Sequence, residues 1–143
     1  MKLNFLCNNH RQWLRENPNA AQSTWAKAFD RSQELAEGGH FLEAARQAGC
    51  ALETADILIA QSRAVSRNDI HRFSESSAQL VQLLIDLREM QLAHTIIQGA
   101  LHRLQALMSG GAHRADILTG CKRLMSIGEG RLQVGGSAGH TVH

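Results

Sequence analysis

Histidine is the residue type in this chain with the widest chemical repertoire, and there are eight of them. A metal site on one helix needs two ligands three or four residues apart, so that both imidazoles point to the same side. His140 and His143 have this spacing but fall in a glycine-rich C-terminal stretch. His94 and His102 would lie about 12 Å apart along a helix, too far for one ion. The histidines therefore predict no metal site.

The three cysteines, Cys7, Cys50 and Cys121, are the next candidates. Their wide spacing matches neither a zinc motif nor a redox pair, and an odd number disfavours a disulfide framework. Each is expected to be a small apolar residue in or near a helix. This usage fits a reducing compartment, so the sequence predicts a cytoplasmic protein.

Acid–base and phosphate chemistry have no recognisable site either. Glu75, Asp86 and Glu89 are expected to be solvated side chains rather than a catalytic pair. The glycines at 128, 130, 135 and 136 lack the following helix and the lysine of a phosphate-binding loop. The sequence thus predicts no catalytic, cofactor-binding or metal-binding residue, and a protein that is not an enzyme.

The composition indicates which secondary structure the chain forms. Hydrophobic residues make up 43% of the 143 residues and are mainly Leu and Ala, whereas aromatic residues make up 4%. These residue types favour helix over strand. The 15 basic residues are spread along the chain, with the 13 acidic residues between most of them, so no basic patch predicts a nucleic-acid partner. No apolar run is long enough for a membrane span, and residues 3–7 are too short for a signal peptide.

Apolar residues at intervals of three and four, with breaks between them, predict five or six helices. Asn17-Pro18, Gly38-Gly39 and Ser109-Gly110-Gly111 mark three of the breaks. A helix from 69 to 108 would be about 60 Å long, so a turn is expected near Arg88–Gln91. The predicted helices cover 3–16, 18–37, about 40–65, about 69–87, about 92–108 and about 112–127. Residues 1–128 would form one helical domain and residues 129–143 a flexible tail.

The segment from Leu80 to Leu87 is apolar on nearly every side of its helix. A helix of this kind is either central in its own chain or part of an interface. The sequence leaves both arrangements open, including a homodimer.

A weak internal repeat accompanies these helices. A shift of 49 residues superposes residues of similar size: Ala44, Ala51, Leu52 and Leu58 fall on Ala93, Ala100, Leu101 and Leu107. Small residues on one stripe allow two helices to cross closely. This pattern places Ala44 and Ala51 in such a crossing and Gly49 nearer its edge.

The segment 35–52 resembles the second half of a tetratricopeptide repeat. Gly39 matches the turn glycine of that family, Phe41 the aromatic residue that follows, and Ala44 and Ala51 the small crossing residues. In the second copy, 84–101, Arg88 stands in place of the turn glycine, and the 49-residue period exceeds the family's 34. The resemblance implies stacked antiparallel helix pairs with a groove that binds a peptide or a partner helix. A plain helix bundle is the alternative.

The stretch around His94 is similar to the phosphorylation motif of histidine phosphotransfer domains, which are also helical bundles. In that family a glycine four residues after the histidine leaves the imidazole exposed, and a lysine helps to hold the phosphate. Here Gly99 follows His94 by five residues, and Gln98 stands at the lysine position. The extra residue rotates the glycine by about 100° around the helix.

These observations predict an all-α protein of five or six antiparallel helices, either tetratricopeptide-like hairpins or a related bundle. The expected function is non-enzymatic: an adaptor, scaffold or chaperone-like subunit that binds a protein partner, without cofactor, nucleic acid or membrane. The alternatives are a structural or self-associating bundle and a phosphotransfer domain that uses His94.

Overall fold

The computed structural model describes residues 4–137, with side chains as far as residue 130. Over that range the chain is all-helical, as predicted. The six helices are α1 (Asn8–Glu16), α2 (Pro18–Glu37), α3 (Phe41–Gln61), α4 (Arg67–Asp86), α5 (Met90–Met108) and α6 (Arg114–Ser137).

Local sequence explains where most of these helices begin and end. α2 begins at Pro18, whose fixed φ angle and missing N–H suit the first helical position. α4 begins with a capping box: the Ser66 hydroxyl accepts the backbone N–H of Asp69, and the Asp69 carboxylate accepts that of Ser66. α2 ends at Glu37 with Gly38 as its C-cap, and Gly39 has a φ of 83°, a conformation that glycine adopts without strain.

The turn between α4 and α5 repeats the geometry of the turn between α2 and α3. The N–H of His40 donates to the carbonyl of Leu35, and 49 residues later the N–H of Glu89 donates to that of Leu84, each at 2.8 Å. Arg88 takes the position of Gly39 and has a φ of 65°. The turn predicted near Arg88–Gln91 is therefore present, without the glycine that usually marks it.

The helices form two layers, and α4 is the middle helix of the first. α2, α4 and α6 lie side by side as one layer, while α3 packs against α2 and α4, and α5 packs against α4 and α6. α1 covers α3 and α2 at the N-terminal end. Thus α2–α3 and α4–α5 are two successive antiparallel hairpins, and α6 continues the first layer.

The buried residues identify the core. Leu80, Val81, Leu83, Leu84 and Ile85 are at most 4% exposed within one chain, so the first of the two arrangements for this apolar helix, a central position, is confirmed. The small residues predicted to lie in helix crossings are also buried: Ala44, Ala51, Ala93 and Ala100.

Some expectations about the chain ends differ from the structure. The first helix begins at Asn8 rather than at residue 3; residues 4–7 are not helical, and the backbone N–H groups of Phe5 and Leu6 donate to Glu53 on α3. The last helix continues to Ser137, into the predicted tail, because glycine lowers helix propensity by only about 1 kcal/mol and does not forbid a helix. The rest of that tail, residues 138–143, lies outside the described residues.

Gly49, predicted to lie near the edge of a crossing, is covered by a segment from outside the paired helices. Gly49 is buried, and a Cβ atom placed there would overlap the ring of Phe5. Sequence pattern missed this contact because Phe5 reaches Gly49 from outside the repeated helices.

Candidate binding face

The first layer consists of α2, α4 and α6, and we call its outer side the α2–α4–α6 face. Hydrogen bonds and ion pairs join its helices. Trp25 Nε1 on α2 donates to Ser76 Oγ on α4 at 2.7 Å. Between α4 and α6, Arg67 Nε lies 3.2 Å from Asp116 Oδ1, and Arg123 pairs with Glu75.

A groove of about 430 Å³ lies between α4 and α6. Its lining is mixed in chemistry, with charged, amide, hydroxyl and imidazole groups and one aliphatic side chain. The residues are Arg67, Asn68, Ile70, His71, Ser74, Glu75, Asp116, Thr119, Gly120 and Arg123. This volume falls within the usual range of ligand sites, about 300–1,000 Å³.

Two small residues bring α4 and α6 together beneath the groove. A Cβ atom at Gly120 would overlap the side chain of Ser74, so only glycine allows this approach. The Ser74 hydroxyl is sealed from solvent by the contact and has no hydrogen-bond partner among the described residues. Neither residue was predicted from the sequence, although a glycine inside the last predicted helix was a usable signal.

In both ion pairs between α4 and α6, the arginine is more exposed than its carboxylate partner. Arg67 is 77% exposed and its partner Asp116 34%, while Arg123 is 50% exposed and its partner Glu75 28%. Exposed pairs of this kind contribute about 0–1 kcal/mol to stability. Their side chains can therefore turn towards a bound partner at little cost to the fold.

An aromatic pair lies on the α2 side of the same face. The rings of Trp25 and Phe29 stack with centroids 5.1 Å apart, and the Arg72 guanidinium lies 6.0 Å from the Trp25 ring. All three side chains are half-buried. Arg72 is held in turn by Asp69, 3.3 Å away. The face thus carries planar apolar surface at one side and charged groups at the other.

The buried carboxylate of Glu53 binds the N-terminal segment to α3, in the second layer. Glu53 on α3 accepts the backbone N–H groups of Phe5 and Leu6 and forms an ion pair with Arg11 at 2.7 Å. The hydrogen bond to Glu53 raises the pKa of the Arg11 guanidinium. These contacts satisfy Glu53 within the fold, so we assign it a structural role.

The histidines and cysteines are dispersed. His94 and His102 are exposed on α5, and Gly99 is half-buried. Within the described part of the chain, no group of three or more His, Cys, Asp or Glu residues could hold a metal ion. Cys7, Cys50 and Cys121 are all free thiols. His140 and His143 lie outside the described residues.

No helix between residues 4 and 137 has the length and apolar character to cross a membrane. Comparison with known proteins gives no match to a family model, a curated protein or a solved structure.

Proposed function

We propose that this protein is a non-enzymatic interaction module, an adaptor, scaffold or chaperone-like subunit that binds a segment of a partner protein on the α2–α4–α6 face. The groove between α4 and α6 carries the proposal. It combines a cleft of about 430 Å³ with exposed guanidinium groups along its rim. Arginine and tryptophan, both present on this face, are residue types enriched at protein interfaces.

The paired helices support the same function. Two hairpins related by 49 residues share one turn geometry, and their first helices line up on one face. This arrangement agrees with the resemblance to tetratricopeptide repeats, whose helix pairs stack in the same order and bind peptides in a groove. The free cysteines support a reducing, cytoplasmic location for such a module.

The test is selection of peptides from a random displayed library, followed by calorimetric affinity measurement with the full chain. Arg67→Glu combined with Arg123→Glu should weaken binding of the selected peptides at least about tenfold, about 1.4 kcal/mol. Arg46→Glu is the matched control, because Arg46 is an exposed arginine on α3, in the other layer. Equal affinity for both variants, or a failure to select any peptide, would contradict the proposal.

A self-associating bundle is the second candidate, and α6 favours it. Leu118 and Met125 are 37% and 49% exposed and are separated by seven residues, which places them on the same side of the helix. Sedimentation equilibrium over a wide concentration range distinguishes the two candidates. A dimer that dissociates when Leu118→Glu and Met125→Glu are introduced would support self-association.

A further inference from the structure

The two ion pairs across the α4–α6 groove run in opposite directions. At one end the arginine is on α4 and the acid on α6, as Arg67 and Asp116. At the other end the order is reversed, because Glu75 is on α4 and Arg123 is on α6. The two pairs are about 12 Å apart along α4. The ion-paired side chains of the groove therefore form an alternating pattern of charge.

An alternating pattern does not favour a ligand of one sign. A charge placed near Arg67 also lies near Asp116, so attraction by one is offset by repulsion from the other. The matching ligand carries the reversed pattern at the same spacing. A second copy of this chain carries it: half a turn about a line across α4 and α6 brings the Glu75 end of one copy opposite the Arg67 end of the other. Arg67 then faces Glu75 of the second copy, and Asp116 faces its Arg123.

The helix directions favour this half-turn over the alternative. α4 and α6 are parallel, since one ion pair lies near the start of both helices and the other lies further along both. Half a turn about a line parallel to the helices also pairs opposite charges, but it places like helix ends together. The half-turn across the helices makes the two copies antiparallel. The positive N-terminal ends of one copy then lie beside the negative C-terminal ends of the other.

The α2–α4–α6 face is large enough for an interface of this kind. α2 and α4 have 20 residues each, and such a helix is about 30 Å long. Three helices at spacings of about 8–10 Å are about 25–30 Å wide. The product is about 800 Å², which is the area that each partner contributes to a stable interface of ordinary size.

We propose that the α2–α4–α6 face also binds a second copy of this chain, in an antiparallel, two-fold symmetric dimer that covers the groove. Each end of the groove then holds four charges of alternating sign, two from each copy. This dimer goes beyond the proposed function, which concerns a segment of another protein. Because both occupy one groove, a bound partner segment excludes the second copy.

The dimer uses a different surface from the exposed Leu118 and Met125 of α6. Leu118 is two residues from both Asp116 and Gly120, which line the groove. It is therefore about 200° around the helix from them, on the side away from the groove. Met125 follows Leu118 by seven residues and lies on that same side. Leu118→Glu combined with Met125→Glu is thus a control variant for the groove dimer.

Inverting the ion pairs tests the arrangement without changing the net charge of the chain. The single inversion combines Arg67→Glu with Asp116→Arg, which keeps the pair within each chain but brings like charges together across the dimer. The double inversion adds Glu75→Arg and Arg123→Glu, after which opposite charges face each other again. By sedimentation equilibrium, the dissociation constant should rise at least about tenfold in the single inversion and return to within about threefold of the parent value in the double inversion.

The inverted pairs are solvent-exposed and contribute little to stability, so both variants should retain the parent's helical circular dichroism. The control variant should leave the dissociation constant unchanged. A parent chain that is monomeric at about 1 mM would overturn the proposal. A dimer that the single inversion does not weaken, that the double inversion does not restore or that the control variant dissociates would also overturn it.

Peptide selection judges the proposed function separately. A chain that binds selected peptides but stays monomeric would contradict the dimer alone. A chain that dimerises as described but selects no peptide would contradict the proposed function alone.

Discussion

α3 and α5 occupy equivalent places in the two hairpins but have different outer surfaces. The N-terminal segment bonds to Glu53 on α3, and α1 packs against α3 but not against α5. Gly49 and Glu53 are consequently buried on α3, while the residues 49 positions later, Gln98 and His102, are exposed. The same contrast continues along the helices, because Ile57 is buried and its counterpart Ala106 is exposed.

This difference shows how one backbone pattern accommodates two environments. A helix that receives another segment needs small or apolar residues at the contact, and any charge there needs a partner. Glu53 meets that requirement through Arg11 and two backbone N–H groups. On α5 the equivalent side chains are hydrated and need no partner. The N-terminal segment and α1, which cover α3, are therefore part of the fold. Their removal should destabilise the first hairpin more than the second.

The largest effect is expected at the pair Leu52 and Leu101, which are equivalent leucines. Leu52 is fully buried and Leu101 is half-buried. Leu52→Ala should lower the free energy of unfolding by about 2–5 kcal/mol, since it leaves a cavity in the core. Leu101→Ala should lower it by about 1 kcal/mol, because less apolar surface leaves water there on folding. Urea unfolding of both variants measures the difference.

The substitution is the same at both positions, so each variant is a control for the other. Equal losses of about 2–5 kcal/mol would mean that Leu101 is covered in solution. Self-association through α5 would then explain the result, and the comparison between covered and open helices would fail.

Sequence pattern predicted the helices of both hairpins but not the cover over the first. The starts at Pro18 and near Ser66 and the turn at Gly39 follow from local chemistry, which acts over a few residues. The contacts of Glu53 with Phe5 and Leu6 span 47 or 48 residues, and no periodicity encodes them. The groove between α4 and α6 was missed for a similar reason, since it depends on a contact between Ser74 and Gly120.

A smaller effect is expected at Gly49 and its counterpart Gln98. Gly49→Ala should destabilise the protein by about 1–3 kcal/mol, because the added methyl group overlaps the Phe5 ring. Gln98→Ala should change stability by no more than about 0.5 kcal/mol, as at other exposed positions. Thermal melts of the two single variants test this difference.

A double-mutant cycle isolates the contact with Phe5. In a Phe5→Ala background the obstacle is gone, and Gly49→Ala should become neutral or stabilising because alanine favours helix by about 1 kcal/mol over glycine. If Gly49→Ala costs the same with and without Phe5, the N-terminal segment does not lie over Gly49, and the cover assigned to α3 is incorrect.

The smallest effect concerns the two turns, where the hairpins agree in geometry and differ in residue type. Arg88 has a φ of 65°, in a left-handed region that costs a residue with a Cβ atom about 1 kcal/mol or more. Arg88→Gly removes that strain but increases the entropy of the unfolded chain, which offsets about 0.4–1 kcal/mol. The net gain should be about 0.5 kcal/mol.

The reciprocal change, Gly39→Arg, introduces the same strain into the first turn but lowers the entropy of the unfolded chain, so the net cost should be about 0.5 kcal/mol. No atom lies within 4 Å of a Cβ placed at Gly39, so the loss would arise from backbone conformation rather than from a steric clash. Midpoints of urea unfolding, measured side by side, are sensitive enough for both changes. If Arg88→Gly lowers the midpoint, the Arg88 side chain stabilises the second turn by more than its backbone strain costs. The two turns would then share a geometry but not the physical reason for it.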